Sequence, residues 1–317
     1  MKVVVGIDVS KDWFDIAWKE NDRIKTQRFD STASGINQLM KATPADAIYV
    51  MEATGVYHAR LAVTLFETER NVAVINPLVI KRYGQMRLSR VKTDTADASL
   101  ILSYGESVEF MLWKPEPHHI QELKVAQGWL DDLTEDMTRL SNRGHAQSYL
   151  VVRSAMVDRQ FLRRKEQLKQ DITECEAHLE KQVKKHFAEL YKLLNSIPSI
   201  GSKTATQLII STGGFTKFIS IKQLSAYVGV SPTTYESGSS VRGRGGIAKM
   251  GQGRLRQLLY LCSWTARKCN PSCVALYERL QALGKPAKVI SIAIAHKLLR
   301  QAFAVATKKT AYSPEFA

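Results

Sequence analysis

Val3-Val4-Val5-Gly6-Ile7-Asp8 is an unbroken apolar run that ends on a carboxylate. A strand with one wet face alternates apolar and polar residues; a continuous run predicts a central strand buried on both faces. Trp13 to Trp18 and Lys25 to Phe29 follow between polar turns and complete an antiparallel meander. Ser34 to Lys41 has helical spacing. Ala47 to Met51 is a further buried strand ending at Glu52, and Gly55 opens a helix through about Glu69. Val72 to Ile75 is a strand stopped by Asn76-Pro77. Helical sequence follows, with a basic segment (Lys81, Arg82, Arg87, Arg90, Lys92) just before Thr93-Asp94-Thr95-Ala96-Asp97. Strands first, then strands alternating with helices, predict a mixed sheet covered by helices.

At 317 residues the chain has room for about two domains, each with its own core. A formal charge of +15 favours a polyanionic partner. Nucleic acid fits better than membrane, because no uncharged run reaches the ~20 residues a span requires. The nearest, Val289 to Ala306, is interrupted by Lys297 and Arg300. The N-terminus is too short and too quickly acidic for a signal peptide. The four cysteines, Cys175, Cys262, Cys269 and Cys273, form no CxxC pair and have no histidine at zinc-finger spacing. They read as reduced, mostly buried thiols of a cytoplasmic protein without a structural zinc.

From about His118 to Leu193 glycine is scarce, and leucines recur at helical spacing (Leu123, Leu130, Leu133; Leu168, Leu179). Two long amphipathic helices are expected there, as an antiparallel coiled-coil arm or as part of a plain bundle. Arg153, Arg159, Arg163, Arg164, Lys165 and Lys169 give the second helix a basic face, suited to nucleic acid or simply to solvent. Ile197-Pro198-Ser199-Ile200-Gly201-Ser202-Lys203-Thr204-Ala205 reads as a helix–hairpin–helix. Its turn is expected to hold Gly201 at positive φ and to aim the next helix's N–H groups, with Lys203, at a backbone phosphate. Phe218 to Val228 is helical, Pro232 breaks the chain, and Arg254 to Arg267 and Lys285 to Ala306 are amphipathic helices closing a small α-helical domain. No helix has the Arg/Asn/Gln clustering of a major-groove reader, so the protein is expected to grip backbones.

Two constellations carry chemistry. Asp8 and Glu52 end strands, and strand ends in such sheets converge on one edge. Asp94 and Asp97, spaced i, i+3, project from one helix face. Four converging carboxylates call for a cation, and all-oxygen ligands suit Mg²⁺ or Mn²⁺. Separately, each acid has a plain structural role open to it: Asp8 in a turn, Glu52 paired with Arg60, Asp94 or Asp97 as a helix N-cap. The second constellation is Glu236-Ser237-Gly238-Ser239-Ser240-Val241-Arg242-Gly243-Arg244-Gly245-Gly246, with three hydroxyls among glycines, an acid in front and arginines behind. Glycines let a backbone approach a phosphate, arginine forks hold it, and a serine there either donates a hydrogen bond or attacks. A flexible counter-charged surface loop has the same composition.

Gly6-Ile7-Asp8-Val9-Ser10-Lys11, Glu52-Ala53-Thr54-Gly55 and Lys92-Thr93-Asp94-Thr95-Ala96-Asp97-Ala98 together resemble the DEDD insertion-sequence transposases, recombinases related to the Piv invertases. The resemblance continues through the long helices, the helix–hairpin–helix segment and Tyr235 to Gly243. It implies an α/β plus α protein: a RuvC/ribonuclease H-like mixed-sheet domain at 1–115, a long helical arm at 116–192 and a small α-helical domain with the helix–hairpin–helix and serine loop at 193–317. It further implies that Asp8, Glu52, Asp94 and Asp97 hold magnesium and that Ser237, rather than Ser239 or Ser240, is a nucleophile. Gly201, Lys203, Arg242, Arg244, Arg163 and Arg164 are the expected nucleic-acid contacts. The implied partners are double-stranded donor and target DNA, a structured non-coding guide RNA (a bridge RNA) and further copies of the chain, as a dimer or tetramer, with no membrane.

Three functions compete. The first is a DNA recombinase acting through a 5′-phosphoserine. The second is a RuvC-type metal-dependent nuclease in which water attacks and Ser237 only binds phosphate. The third is a nucleic-acid-binding scaffold with a vestigial acidic site, which the complete tetrad disfavours.

Overall fold

A computed structural model describes residues 3–88, 93–233, 236–237, 241–242, 246–248 and 250–314. The chain divides into two compact units, with the boundary between Pro115 and Glu116.

The first unit is a five-stranded sheet with helices on both faces. Its elements are β1 (Val4–Val9), β2 (Trp13–Glu20), β3 (Arg23–Asp30), α1 (Ala33–Ala42), β4 (Ile48–Glu52), α2 (Tyr57–Glu67), β5 (Asn71–Ile75), α3 (Pro77–Met86) and α4 (Asp94–Ser107). The strand order is β3-β2-β1-β4-β5. β1–β2 and β2–β3 pair antiparallel, whereas β1–β4 and β4–β5 pair parallel. The mixed sheet expected from the sequence is therefore present, with β1 at its centre. Val5, Ile7 and Val9 face one layer with Ile36 and Leu39 of α1 and Leu61 and Leu65 of α2. On the other face Val4, Ala17, Val50 and Ala73 pack against α3 and α4 through Ile80, Tyr83, Ala98, Ile101 and Leu102. α2 begins later than Gly55, because Gly55 takes a left-handed turn (φ +50°) that a helix cannot include.

Gly6 decides how closely α4 can lie on the sheet. A Cβ at this position would stand 2.2 Å from the Leu102 amide nitrogen and 2.5 Å from the Ala98 carbonyl oxygen. Both obstacles are helix backbone, so relief requires α4 itself to move. Gly6→Ala is expected to destabilise this unit by about 1–3 kcal/mol, the usual cost of overpacking. Urea denaturation checks this; unchanged stability would mean that α4 does not rest on Gly6.

The second unit comprises α5 (His118–Gln147), α6 (Ala155–Asn195), α7 (Ser202–Thr212), α8 (Ile221–Val228), four two-residue strands, α9 (Gly253–Cys269), α10 (Pro271–Ala282) and α11 (Ala287–Lys308). α5 and α6 meet through Leu133, Leu140 and Leu168, with Met137, Phe161 and Ile172 packed around them. α6 is bent at Phe187, whose φ/ψ of −137°/36° is not helical. α7, α8, α9 and α11 share one core with the inner ends of α5 and α6, centred on Leu208, Ile209, Leu224, Leu255, Leu259 and Leu298. Apolar and long as it is, α11 is a core helix, with Ile290, Ile294, Leu298, Leu299, Ala302 and Val305 all buried. The four cysteines are free; Cys273 is buried, Cys175 and Cys262 are half-buried, and Cys269 is exposed.

Candidate active site

The acidic residues gather because of strand parity and helix phase. Val4 faces α4, so Gly6 and Asp8 do too; Val50 faces α4, so Glu52 does. Asp8 and Glu52 thus leave the same face at the same end of two neighbouring parallel strands. α4 begins just there. Thr93 is its N-cap, its hydroxyl accepting from the Ala96 amide at 3.2 Å, so the N-cap position is held by neither Asp94 nor Asp97. Asp97 lies one turn before Ile101 on the stripe that packs on the sheet. The first turn of a helix also favours negative charge through the backbone dipole. Among the described residues Glu52 makes no ion pair with Arg60, so that plain role is not taken either.

Their mutual electrostatics follows from this juxtaposition. Burial pushes the Asp8 carboxyl up from 3.8 to about 6, helped by the charges of Asp97, Asp94, Glu52 and Asp15 in that order. Glu52 is also pushed up, first by burial and then by Asp97. Like charges held together with little solvent are costly, and a cation relieves them. The donor set is all oxygen, which fits a hard divalent ion. Among the described residues no three His, Cys, Asp or Glu side chains already enclose a common point. The acids therefore share one face and one field without forming a closed shell.

A pH dependence follows. Between the ordinary aspartate pKa and about 6, folded Asp8 holds a proton that the unfolded chain has released. The folded state therefore gains stability from this group at low pH and loses it as pH rises through that window. Asp8→Asn removes the effect. In a chelator, the thermal midpoint of Asp8→Asn minus that of the unaltered protein is expected to increase between about pH 4 and pH 7. A difference that stays constant would mean that Asp8 titrates as an ordinary exposed carboxylate.

The structure adds two residues to this region that the sequence reading did not single out. Asp15 on β2 pairs in register with Asp8, and Arg28 on β3 with Asp15. Arg28 binds both Asp15 and Asp94. The available signal was Asp15 itself, a lone acid within the otherwise apolar run Trp13 to Trp18.

Ser237 belongs to the second unit. Glu236–Ser237 pairs antiparallel with Val241–Arg242, with Glu236 opposite Arg242 and Ser237 opposite Val241. The serine stretch is thus a small β-hairpin rather than an open loop, at least over these four residues. Pro232–Thr233 and Gly246–Ile247 form a second antiparallel pair flanking it in sequence. Ser239, Ser240 and Arg244 lie outside the described residues, as do Arg90 and Lys92 of the basic segment. Arg163 and Arg164 are exposed on α6. Lys203 is exposed at the start of α7 and bonded to Glu176 at 2.7 Å.

Gly201 requires a correction. It is the N-cap of α7 with φ −90° and ψ 178°, ordinary extended backbone, and a Cβ there would meet nothing within 4 Å. The left-handed residue of this turn is Ser199, at φ +84°. Chain reversal is thus accomplished before Gly201, whose role is to start the helix without a side-chain cap. Loss of glycine here would not strain the turn.

Two family models cover most of the chain. Residues 5–149 match a model described as a transposase, DEDD_Tnp_IS110, and residues 191–278 match the transposase IS116/IS110/IS902 family. The pilin gene-inverting protein of Moraxella bovis is 29% identical over 96% of this chain and 95% of its own length. The corresponding protein of Moraxella lacunata is 28% identical over the same shares. The transposase for insertion sequence element IS1328 of Yersinia enterocolitica is 24% identical over 98% of both chains. The similarity along most of the chain defines a transposase. The chain belongs to the IS110 family of insertion-sequence transposases and DNA invertases. It is accordingly an enzyme of DNA cleavage and strand transfer, with DNA as its substrate.

Proposed function

We propose that this transposase cuts and rejoins DNA through Ser237, assisted by Mg²⁺ or Mn²⁺ held by Asp8, Glu52, Asp94 and Asp97, and that a structured guide RNA selects its target and donor sites. The observation that carries the metal reading is the sharing of one face by four acids, with Asp8 pushed to about 6 by burial and by the other three. When bound, divalent ions would neutralise phosphate charge and lower the pKa of a coordinated oxygen. Asp8 and Glu52 supply strand-end carboxylates and Asp94 and Asp97 helix-borne ones, so the ligands come from elements fixed by the core.

Ser237 supplies the attacking oxygen. Its Oγ forms a bond to phosphorus, the P–O3′ bond breaks, the serine proton leaves to a base, and the departing 3′ oxygen takes up a proton. The 5′-phosphoserine conserves the phosphoester for attack by another 3′ hydroxyl, which restores the serine. Serine needs activation to react, and the stretch around Ser237 has no histidine. The acidic site, of this copy or of another in a dimer or tetramer, is the source of that activation. Arg242 and Arg244, on either side of Gly243, suit the phosphate being attacked.

Further contacts are to backbones. The uncapped N-terminus of α7, with Lys203, suits a phosphate, and this is the sense in which the segment acts as a helix–hairpin–helix. Arg163 and Arg164 make α5–α6 a basic coiled-coil arm for nucleic acid. Sequence choice by base pairing needs a protein of this kind, which grips backbones without reading base edges.

The test combines purified protein, its copurified RNA after sequencing, and two DNA duplexes carrying sites complementary to that RNA. The expected product is rejoined recombinant DNA, dependent on both RNA and divalent ion. Free 5′-phosphate ends without rejoining would favour the water-attacking nuclease. Unchanged product after RNA removal would exclude guiding.

A further inference from the structure

A row of charge crosses the sheet from the acidic site. Asp8, Asp15 and Arg28 occupy paired positions on β1, β2 and β3, so they stand in line on the face that α4 covers. Asp15 is 5% exposed, and a buried carboxylate requires a partner. Arg28 provides it as a fork: Nε donates to Oδ1 at 3.1 Å and Nη2 to Oδ2 at 2.9 Å. The guanidinium also lies over the Trp13 ring, 4.8 Å from its centroid. Two side chains of the adjacent strand β2 therefore fix its plane. From that fixed position Nη2 makes one more bond, to Asp94 Oδ2 at 2.8 Å.

The last bond is not needed to satisfy Asp15, whose partner is already bidentate. About half of each side chain in this pair is open to solvent, but its arginine is already docked on Asp15 and Trp13 before it reaches Asp94. A carboxylate bonded through one oxygen keeps acceptor capacity for a cation. Carboxylates that ligate metals are characteristically held by such outer hydrogen bonds.

We infer that Arg28, docked by Asp15 and Trp13, is a positioning residue that holds the Asp94 carboxylate in place for a divalent ion. This rests on the reading of Asp8, Glu52, Asp94 and Asp97 as ligands. Arg28 touches a ligand and not the reacting atoms. Lysine in its place would keep the charge but lack the planar fork that reaches Asp15 and Asp94 together.

The experiment titrates Mn²⁺ into full-length protein, stripped of nucleic acid by high salt, using calorimetry. Arg28→Gln is expected to weaken Mn²⁺ binding about 10- to 100-fold, the usual effect of removing an outer partner, with stoichiometry unchanged. Arg28→Lys should fall between. DNA cleavage by Arg28→Gln should recover to within a few-fold of the unaltered protein at saturating Mn²⁺. Equal or tighter Mn²⁺ binding by Arg28→Gln would overturn the inference, as would a cleavage defect that no Mn²⁺ concentration repairs. If Arg28→Gln does not fold, Asp15→Asn undocks the guanidinium while retaining Arg28, and weaker Mn²⁺ binding is again expected; unaltered binding overturns the inference. Asp94→Ala separates the two levels. Mn²⁺ binding that survives Asp94→Ala removes the ligand assignment itself. Binding lost in Asp94→Ala but unaltered in Arg28→Gln removes only the role of Arg28.

Discussion

Asp8→Ala and Asp97→Ala should each lower DNA strand cleavage by about a thousandfold or more while the protein remains folded. Metal-held charge stabilisation is worth several kcal/mol, and each ~1.4 kcal/mol of barrier is tenfold in rate. Asp8 is the focus of the cluster: burial and the charges of Asp97, Asp94 and Glu52 all act on it. Asp97 is the leading charged neighbour of both Asp8 and Glu52. The fold of this unit is held by its apolar core. α4 is anchored by Ala98, Ile101 and Leu102 and capped by Thr93, and β1 by its apolar residues. Removing a carboxylate from a repulsive cluster should even raise stability near neutral pH. Single-turnover cleavage in Mg²⁺ and in Mn²⁺, beside circular dichroism, checks the claim. A variant of either acid that cuts at the unaltered rate would take the four acids away from the reacting centre.

The strand-end acids were legible in the sequence because their positions follow from periodicity. A continuous apolar strand must be central, and its last residues must emerge near the sheet's end; Glu52 ends β4 as expected, whereas β1 runs one residue past Asp8 to Val9. Asp94 and Asp97 were legible as an i, i+3 pair. What periodicity could not supply was register. Arg28 meets Asp15 through the register of the β2–β3 hairpin, and it meets Asp94 because α4 returns over β2 and β3; the second contact is not encoded locally. Gly201 failed for another reason. Glycine in a turn suggested positive φ, yet Ser199 carries that conformation, and a helix N-cap accepts glycine on ordinary backbone. The long helices were plain from leucine spacing, but the bend at Phe187 has no proline or glycine beside it to announce it.

Ser237→Ala should abolish both covalent attachment to DNA and recombinant product, while nucleic-acid binding persists. Deleting an enzyme's nucleophile costs up to about 10⁶-fold in rate, so no adduct should be detectable. The phosphodiester repels nucleophiles, and attack needs neutralisation of the phosphate together with activation of the attacking oxygen. An acidic metal site alone can hydrolyse DNA with water, and hydrolysis discards the bond energy that rejoining needs. A serine-bearing second unit fits a covalent route, in which the phosphoester is kept on the protein for rejoining. The hairpin pairing of Glu236–Ser237 with Val241–Arg242 favours this position, since a strand holds its residues in fixed register. Register matters for an attacking group, because small displacements of a nucleophile cost large factors in rate. The assay is a suicide DNA substrate on a denaturing gel, with and without protease. A protease-sensitive adduct is expected from the unaltered protein, Ser239→Ala and Ser240→Ala, and none from Ser237→Ala. Adduct loss in Ser239→Ala or Ser240→Ala instead would move the nucleophile within the stretch. Recombination by Ser237→Ala at the unaltered rate would leave water as the attacking group, and the serine as a hydrogen-bond donor to phosphate.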